Sequence, residues 1–202
     1  GGEPFVVPLA MGLIARDGRA LPLQLAGEGA AVGTHRVLVL NAARSSYTFT
    51  GIDSAPVPSM LRGFSAPVIL GDDLTDTDLL VLLKHDTDPF SRWEAGQRLA
   101  LNRLLAATQA GEAQPLDNDF IEAMRDILRH PGLDAAFKEM VLTPPSEGYV
   151  SEKLSLVHPQ HIHTARESMR AQLAAALRED WAWAFEQHQV GGAHQRAGQL
   201  QS

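Results

Sequence analysis

His158, His161 and His163 are the densest set of potential metal ligands in this 202-residue chain. On a helix, positions 158 and 161 share a face, but 161 and 163 lie about 200° apart. All three meet one ion only if His158 belongs to the turn before the helix, so exposed helix-start histidines are the expectation. His163 and Glu167 stand four apart, the spacing of an ordinary surface pair. No His-Glu dipeptide occurs anywhere, so H-E-x-x-H, which sets two zinc ligands and a general base on one helical face, is absent. Ser45, Ser46, Ser59 and Ser65 have no G-x-S-x-G context for a nucleophile. No glycine-rich loop follows a strand and opens a helix, so nothing is set to cradle phosphate. His85, Asp86 and Asp88 suggest a cation site, but an N-cap ahead of Pro89 explains them better. Of the three tryptophans, Trp93 is expected in a core. Trp181 and Trp183 point in different directions, so one should be more exposed than the other. Residue by residue, no catalytic, cofactor-binding or metal-binding side chain is expected in this chain.

The elements that would position these residues change character along the sequence. Apolar residues make up 45% and charged residues 20%, the balance of an ordinary globular protein. Cysteine is absent, which excludes a disulfide scaffold or thiolate metal site and fits a reducing compartment; the expected location is the cytoplasm. No apolar run approaches the ~20 residues that span a bilayer, and GGEPFVVPLAMG lacks the basic start of a signal peptide. Residues 1–70 carry +1, leaving −8 of the total −7 to the remainder. An acidic helical part argues against nucleic-acid binding, which needs a basic face.

In the first third, Pro4–Ile14 reads as a strand whose Pro8 calls for an edge or a break. Asp17-Gly18 marks a hairpin, with Leu21–Leu25 as the return strand. His35–Asn41 and Ser46–Ile52 are two further strands, Pro56 and Pro58 an extended entry with Met60, Leu61 and Phe64 as apolar anchors, and Ala66–Leu70 a last strand. About five short strands suggest a small antiparallel sandwich, Ig-like; five are few for a closed one, so either the domain is small or strands before Phe5 are missing. Helical spacing then takes over. Thr75-x-x-Asp78 resembles a capping box for a helix ending near His85. Asp88-Pro89 opens a helix reaching Gly111, and Asp117 precedes one broken at Pro131-Gly132. Short helices follow over 134–142 and 146–154, and Pro159 to Gln189 reads as one long helix. The tail GGAHQRAGQLQS lacks apolar periodicity and should fray. These elements divide the chain into a sandwich over 1–70, a helical bundle or α-solenoid over 71–189 and a flexible tail over 190–202.

Two stretches at the changeover are the most specific text in the chain. PVPSMLRGFSAPV, followed by HDTDPFSRWEAGQ, resembles the bacterial aminopeptidase N family of zinc metallopeptidases. PFVVPLAMGLIARDGRALPLQL, VLVLNAARSSYTFTGI and LTPPSEGYVSEKLSLVHPQHIHTARESMRAQLA resemble further family segments, so the likeness runs over roughly residues 4–185. It implies a β-sandwich domain followed by the first part of a helical C-terminal domain, without the catalytic domain. The family's zinc site and catalytic residues would then lie in the missing domain, and none carries over to a position here. The implied role is that of a non-catalytic portion of an enzyme releasing N-terminal residues from peptides: the sandwich as spacer, the helices as cap of the substrate chamber, the chain alone inactive. Its implied partners are the rest of the polypeptide and, in the full enzyme, peptide substrates, with no nucleic acid and no membrane. A sheet missing strands would leave an open edge and favour self-association. Two other readings stand beside this one: a free-standing scaffold binding a partner through its acidic helical face, and an independent hydrolase using the histidine cluster.

Overall fold

The computed structural model describes residues 6–66 and 71–199. The chain divides into two compact units, Gly1–Ala95 and Gly96–Ser202.

In the first unit, β1 (Val7–Ile14), β2 (Arg36–Leu40) and β3 (Val57–Met60) form an antiparallel sheet ordered β2-β1-β3. β1 is central, contrary to the expectation for a strand carrying Pro8. The register resolves the conflict. Val7–Met11 pair with β2, and only Met11–Ile14 pair with β3. The Ala10 N–H points away from β2, donating to Ser65 Oγ at 3.0 Å. Backbone groups two residues apart in a strand face the same way, so the Pro8 nitrogen also faces away from β2 and no ladder bond is lost. The Asp17-Gly18 hairpin forms as its sequence demands: Ala15 N–H donates to Arg19 C=O at 2.8 Å, and Gly18 has φ of 98°.

The return segment Leu21–Leu25 and the Ser46–Ile52 segment are not ladder strands. One bridge, Leu25 to Phe49, joins them, and Leu23 instead exchanges backbone bonds with Val32 and Gly33. Pro22 and the glycines at 27 and 29 interrupt any longer ladder. The extended entry at Pro56 is where the third strand lies. Most of the Ala66–Leu70 stretch falls outside the described residues. Leu9, Met11, Leu13, Leu23, Leu38 and Leu61 make the core of this unit. Helix α1 (Asp76–His85) packs on β1 and β3. Thr75 and Asp78 close its capping box reciprocally, at 3.2 and 3.0 Å.

The second unit is helical. α2 (Pro89–Ala110) ends at Gly111, whose φ of 74° suits glycine. α3 (Asn118–Arg129), α4 (Ala135–Leu142) and α5 (Glu147–Ser151) start at Asp117, Asp134 and Ser146, each of which caps a backbone N–H three residues on. Phe120, Met124, Ile127 and Leu128 form one buried stripe on α3. Gln172 holds the loop before α3 with both ends of its amide: Oε1 accepts from Leu116 N at 2.8 Å, and Nε2 donates to Gln114 O at 2.9 Å.

The long helix expected from Pro159 to Gln189 is two helices, α6 (Pro159–Ala176) and α7 (Arg178–Gln199), and the second continues into the stretch expected to fray. Leu177, fully buried, breaks the helix at φ −109°, ψ 18°. A break frees carbonyls that need new donors. Arg125 of α3 supplies one, donating from Nη2 to Ala176 O at 3.1 Å. Its Nε and that of Arg129 also bind the Asp180 carboxylate, at 3.0 and 2.7 Å. Asp180 lies in the first turn of α7, where a negative charge favours the helix dipole.

Burial pushes the Asp180 carboxyl up, but the hydrogen bonds from Arg129 and Arg125 outweigh it and leave the group below its ordinary value of 3.8. The unfolded chain therefore takes up the proton first as pH falls, so this contribution is complete above the ordinary value and is lost as pH drops through the folded one. Thermal unfolding followed from pH 6 to pH 2 should show that loss, and Asp180→Asn should flatten it. An unchanged slope in the variant would refute the assignment.

Candidate functional site

The two most specific stretches of sequence meet at one buried charge node in the first unit. After β3 the backbone enters the left-handed region at Leu61 (φ 53°), Gly63 (61°) and Phe64 (56°). This turn sends Arg62 inward, where its side chain is 4% exposed, against Asp86, whose side chain is fully buried. Arg62 Nε donates to Ser59 Oγ at 2.9 Å, and Nη2 donates to Asp86 Oδ1 at 3.4 Å. The guanidinium lies across β1 at Gly12, where a Cβ would stand 2.3 Å from Cζ. Glycine at 12 is thus the condition for burying Arg62 there.

Asp86 terminates α1, its N–H donating to Leu82 O at 2.9 Å. Its Oδ1 also accepts from Asp88 N at 2.9 Å. Asp88 caps α2 by accepting from Ser91 N at 2.9 Å, and its two oxygens accept from Gly63 N at 3.1 Å. Buried Arg92 closes the other side: Nε donates to Leu83 O at 2.8 Å and Nη2 to Lys84 O, covering the last carbonyls of α1. Burial pushes the Asp86 carboxyl up, while the Ser59 hydroxyl, the Asp88 N–H and Arg62 pull it back. Burial likewise lowers Arg92.

Chemically, this node holds rather than reacts. Most of its donors and acceptors are spent on one another and on backbone, although the buried Asp86 Oδ2 has no hydrogen-bond partner among the described residues, and Ser59 is fully buried with its hydroxyl accepting from Arg62. The sequence expectation that Asp88 caps the Pro89 helix is met. Arg62 was missed because it stands between apolar neighbours with no helical or strand periodicity to fix its direction. Phe64, expected as an apolar anchor, is instead 59% exposed, since the left-handed turn that buries Arg62 carries the next side chains outward. Trp93 is half-buried rather than wholly in the core, tilted against Phe90 at 5.9 Å.

The histidine cluster is dispersed. His158 precedes α6 and stacks on His161 with ring centroids 5.0 Å apart, and His163 Nδ1 lies 2.8 Å from Glu147 Oε1. Glu167 pairs with Arg170 at 3.2 Å, not with His163. Among the described residues, no group of three or more His, Cys, Asp or Glu is placed to hold a metal ion. The described residues therefore offer no ligand set for zinc. Trp181 is exposed. Trp183 is half-buried under the Arg129 and Lys138 cations, 4.9 and 5.6 Å from its ring. A groove of about 580 Å³ runs past Leu142, Pro144, Leu173 and Trp181, and of its lining charges Arg166 donates to Pro145 O at 3.0 Å and Glu167 pairs with Arg170.

The chain is thus a sheet-bearing unit, which contains the buried charge node, followed in sequence by a helical unit. Two family descriptions match along the chain: a domain of unknown function with an Ig-like fold (DUF3458) over residues 1–73, and one with ARM repeats (DUF3458_C) over residues 76–201. The chain belongs to this DUF3458 family, an Ig-like domain followed by ARM-type helices. It is 33% identical over 168 residues to aminopeptidase N of Caulobacter vibrioides, covering 83% of this chain and 18% of that protein. It is also 30% identical over 181 residues to aminopeptidase N of Escherichia coli, covering 88% and 20%. The chain thus spans about a fifth of the length of these relatives. A crystal structure of Legionella pneumophila aminopeptidase A in complex with aspartic acid shares the fold, with a TM-score of 0.70 at 23% identity over 92% of this chain and 20% of that one.

Proposed function

We propose that this chain is the non-catalytic portion of a zinc-dependent aminopeptidase that releases N-terminal amino acids from peptides. In this reading the Ig-like unit is a spacer and the helical unit a cap over the substrate chamber. The observation that carries it is identity of 30–33% to proteins named aminopeptidase N along most of the chain. Most of the node's polar groups bond to one another or to backbone, which supports a holding role. Zinc, in this reading, is bound by another part of the polypeptide, together with the peptide substrate. A cysteine-free composition supports a cytoplasmic setting. No helix among the described residues is long and apolar enough to cross a membrane.

The chain alone should show no turnover of an alanyl anilide with or without added zinc, and a chelator should leave its unfolding midpoint unchanged. Stoichiometric zinc together with turnover would overturn the reading. The positive arm is a chimera in which this chain replaces the matched 168-residue segment of the Caulobacter vibrioides enzyme. Turnover by that chimera supports the reading, and a folded but inactive chimera refutes it.

A further inference from the structure

The turn that buries Arg62 also displays Phe64, and the display is energetically odd. Leu61 and Phe64 both carry side chains in the left-handed region, where the Cβ crowds the backbone and the conformation is strained. Leu61 is buried in return, but Phe64 leaves 59% of its surface in water. The position is firmly held: Phe64 N–H donates to Leu61 O at 3.0 Å, Gly63 N–H is fixed by the Asp88 carboxylate, and Arg62 is locked beneath. The ring meets Phe90 edge-on at 5.4 Å, and Phe90 leans on Trp93. Backbone strain kept in place by its surroundings, and spent on exposing an aromatic ring on a rigid base, is characteristic of a contact surface rather than of a packing defect.

We infer that Phe64, backed by Phe90 and Trp93, is a docking tip that inserts into an apolar socket on the remaining, metal-bearing part of the aminopeptidase polypeptide. The inference rests on the proposed function for its occupant. Length argues for that occupant: the matched segment makes up only 18–20% of the relatives, so four-fifths of such a polypeptide lies outside this chain. The neighbouring charge, Asp88, is already committed to Gly63 and Ser91, so the tip offers an aromatic surface and no free charge. An apolar socket is the complement of such a surface.

The test compares Phe64→Asn in two settings, since asparagine tolerates the left-handed backbone and removes the ring. In the isolated chain, F64N should leave the thermal midpoint unchanged or raise it. In the Caulobacter vibrioides chimera, F64N should lower the midpoint by at least about 3 °C, and Phe64→Trp should restore most of that loss. Equal effects of F64N in both settings would overturn the inference, because the ring would then act only within this chain. A concentration-dependent dimer of the isolated chain that F64N abolishes would also overturn it, assigning the tip to a second copy. A chimera that unfolds as one unit and is weakened by F64N, yet turns over no substrate, would uphold the docking tip while refuting the aminopeptidase reading.

Discussion

Replacing Arg62 with methionine is expected to destabilise the first unit by about 3–5 kcal/mol, as read from urea unfolding. The substitution keeps much of the side-chain volume but removes a charge that faces Asp86, whose side chain is fully buried. A carboxylate stripped of its counter-charge in a low-dielectric site must either stay ionised at high cost or take up a proton. Removing both partners at once separates the two halves of this effect. The double variant Arg62→Met, Asp86→Leu should recover most of the loss, because a buried pair replaced by apolar groups of similar volume is often close to neutral. Ser59 and the Asp88 N–H each lose a partner in the double variant, so full recovery is not expected. If the double variant were no more stable than Arg62→Met, the pairing would not be the source of the loss.

Phe120→Ala should produce a loss of similar size in the helical unit, about 3–5 kcal/mol. The ring is fully buried at the start of α3, and the Arg103 guanidinium sits 4.7 Å from its centroid. Arg103 is itself held by Asp117 at 2.7 Å, the residue that caps α3 through the Phe120 N–H. Truncating the ring therefore leaves a cavity and removes the surface on which this cation rests. Phe120→Leu keeps most of the volume and should cost less than about 1.5 kcal/mol. Thermal unfolding of the two variants checks the contrast; equal losses would show that the ring's size is not what the site requires.

Local chemistry carried much of this fold into readable form. Thr75 with Asp78, Asp88 with Pro89, Asp117, and Asp17-Gly18 each specify backbone geometry within three or four residues, and each forms as its sequence implies. The break at Leu177 was not legible, because nothing near it disfavours helix. It depends on Arg125, 52 positions upstream, reaching the freed carbonyl of Ala176. Only the acidic pair Glu179-Asp180, suited to a helix start, hinted at it. The buried charge node was half legible: Asp86 and Asp88 stood out as caps, whereas Arg62 lay inside an apolar stretch. Its burial depends on a glycine 50 residues earlier, in another strand, and no local spacing connects the two. The central placement of β1 was obscured for a related reason. Proline forbids a ladder bond only on the side its nitrogen faces, and that side is decided by register.

The same register has a bearing on how the sheet behaves in a concentrated solution. An incoming strand seeking backbone donors along the early part of β1 finds none at Pro8, and at Ala10 an N–H already taken by Ser65. That margin is closed to templated growth without any charged side chain to guard it. The outer margin of β2 is guarded more lightly: the Tyr47 hydroxyl occupies the Val39 carbonyl at 2.7 Å, while Val37 and Val39 stay about half exposed. The five-residue outer border of β2 is thereby one margin at which this sheet can accept another strand. A single lysine at position 37 would place a gatekeeping charge there while leaving the node, the core and the displayed ring untouched.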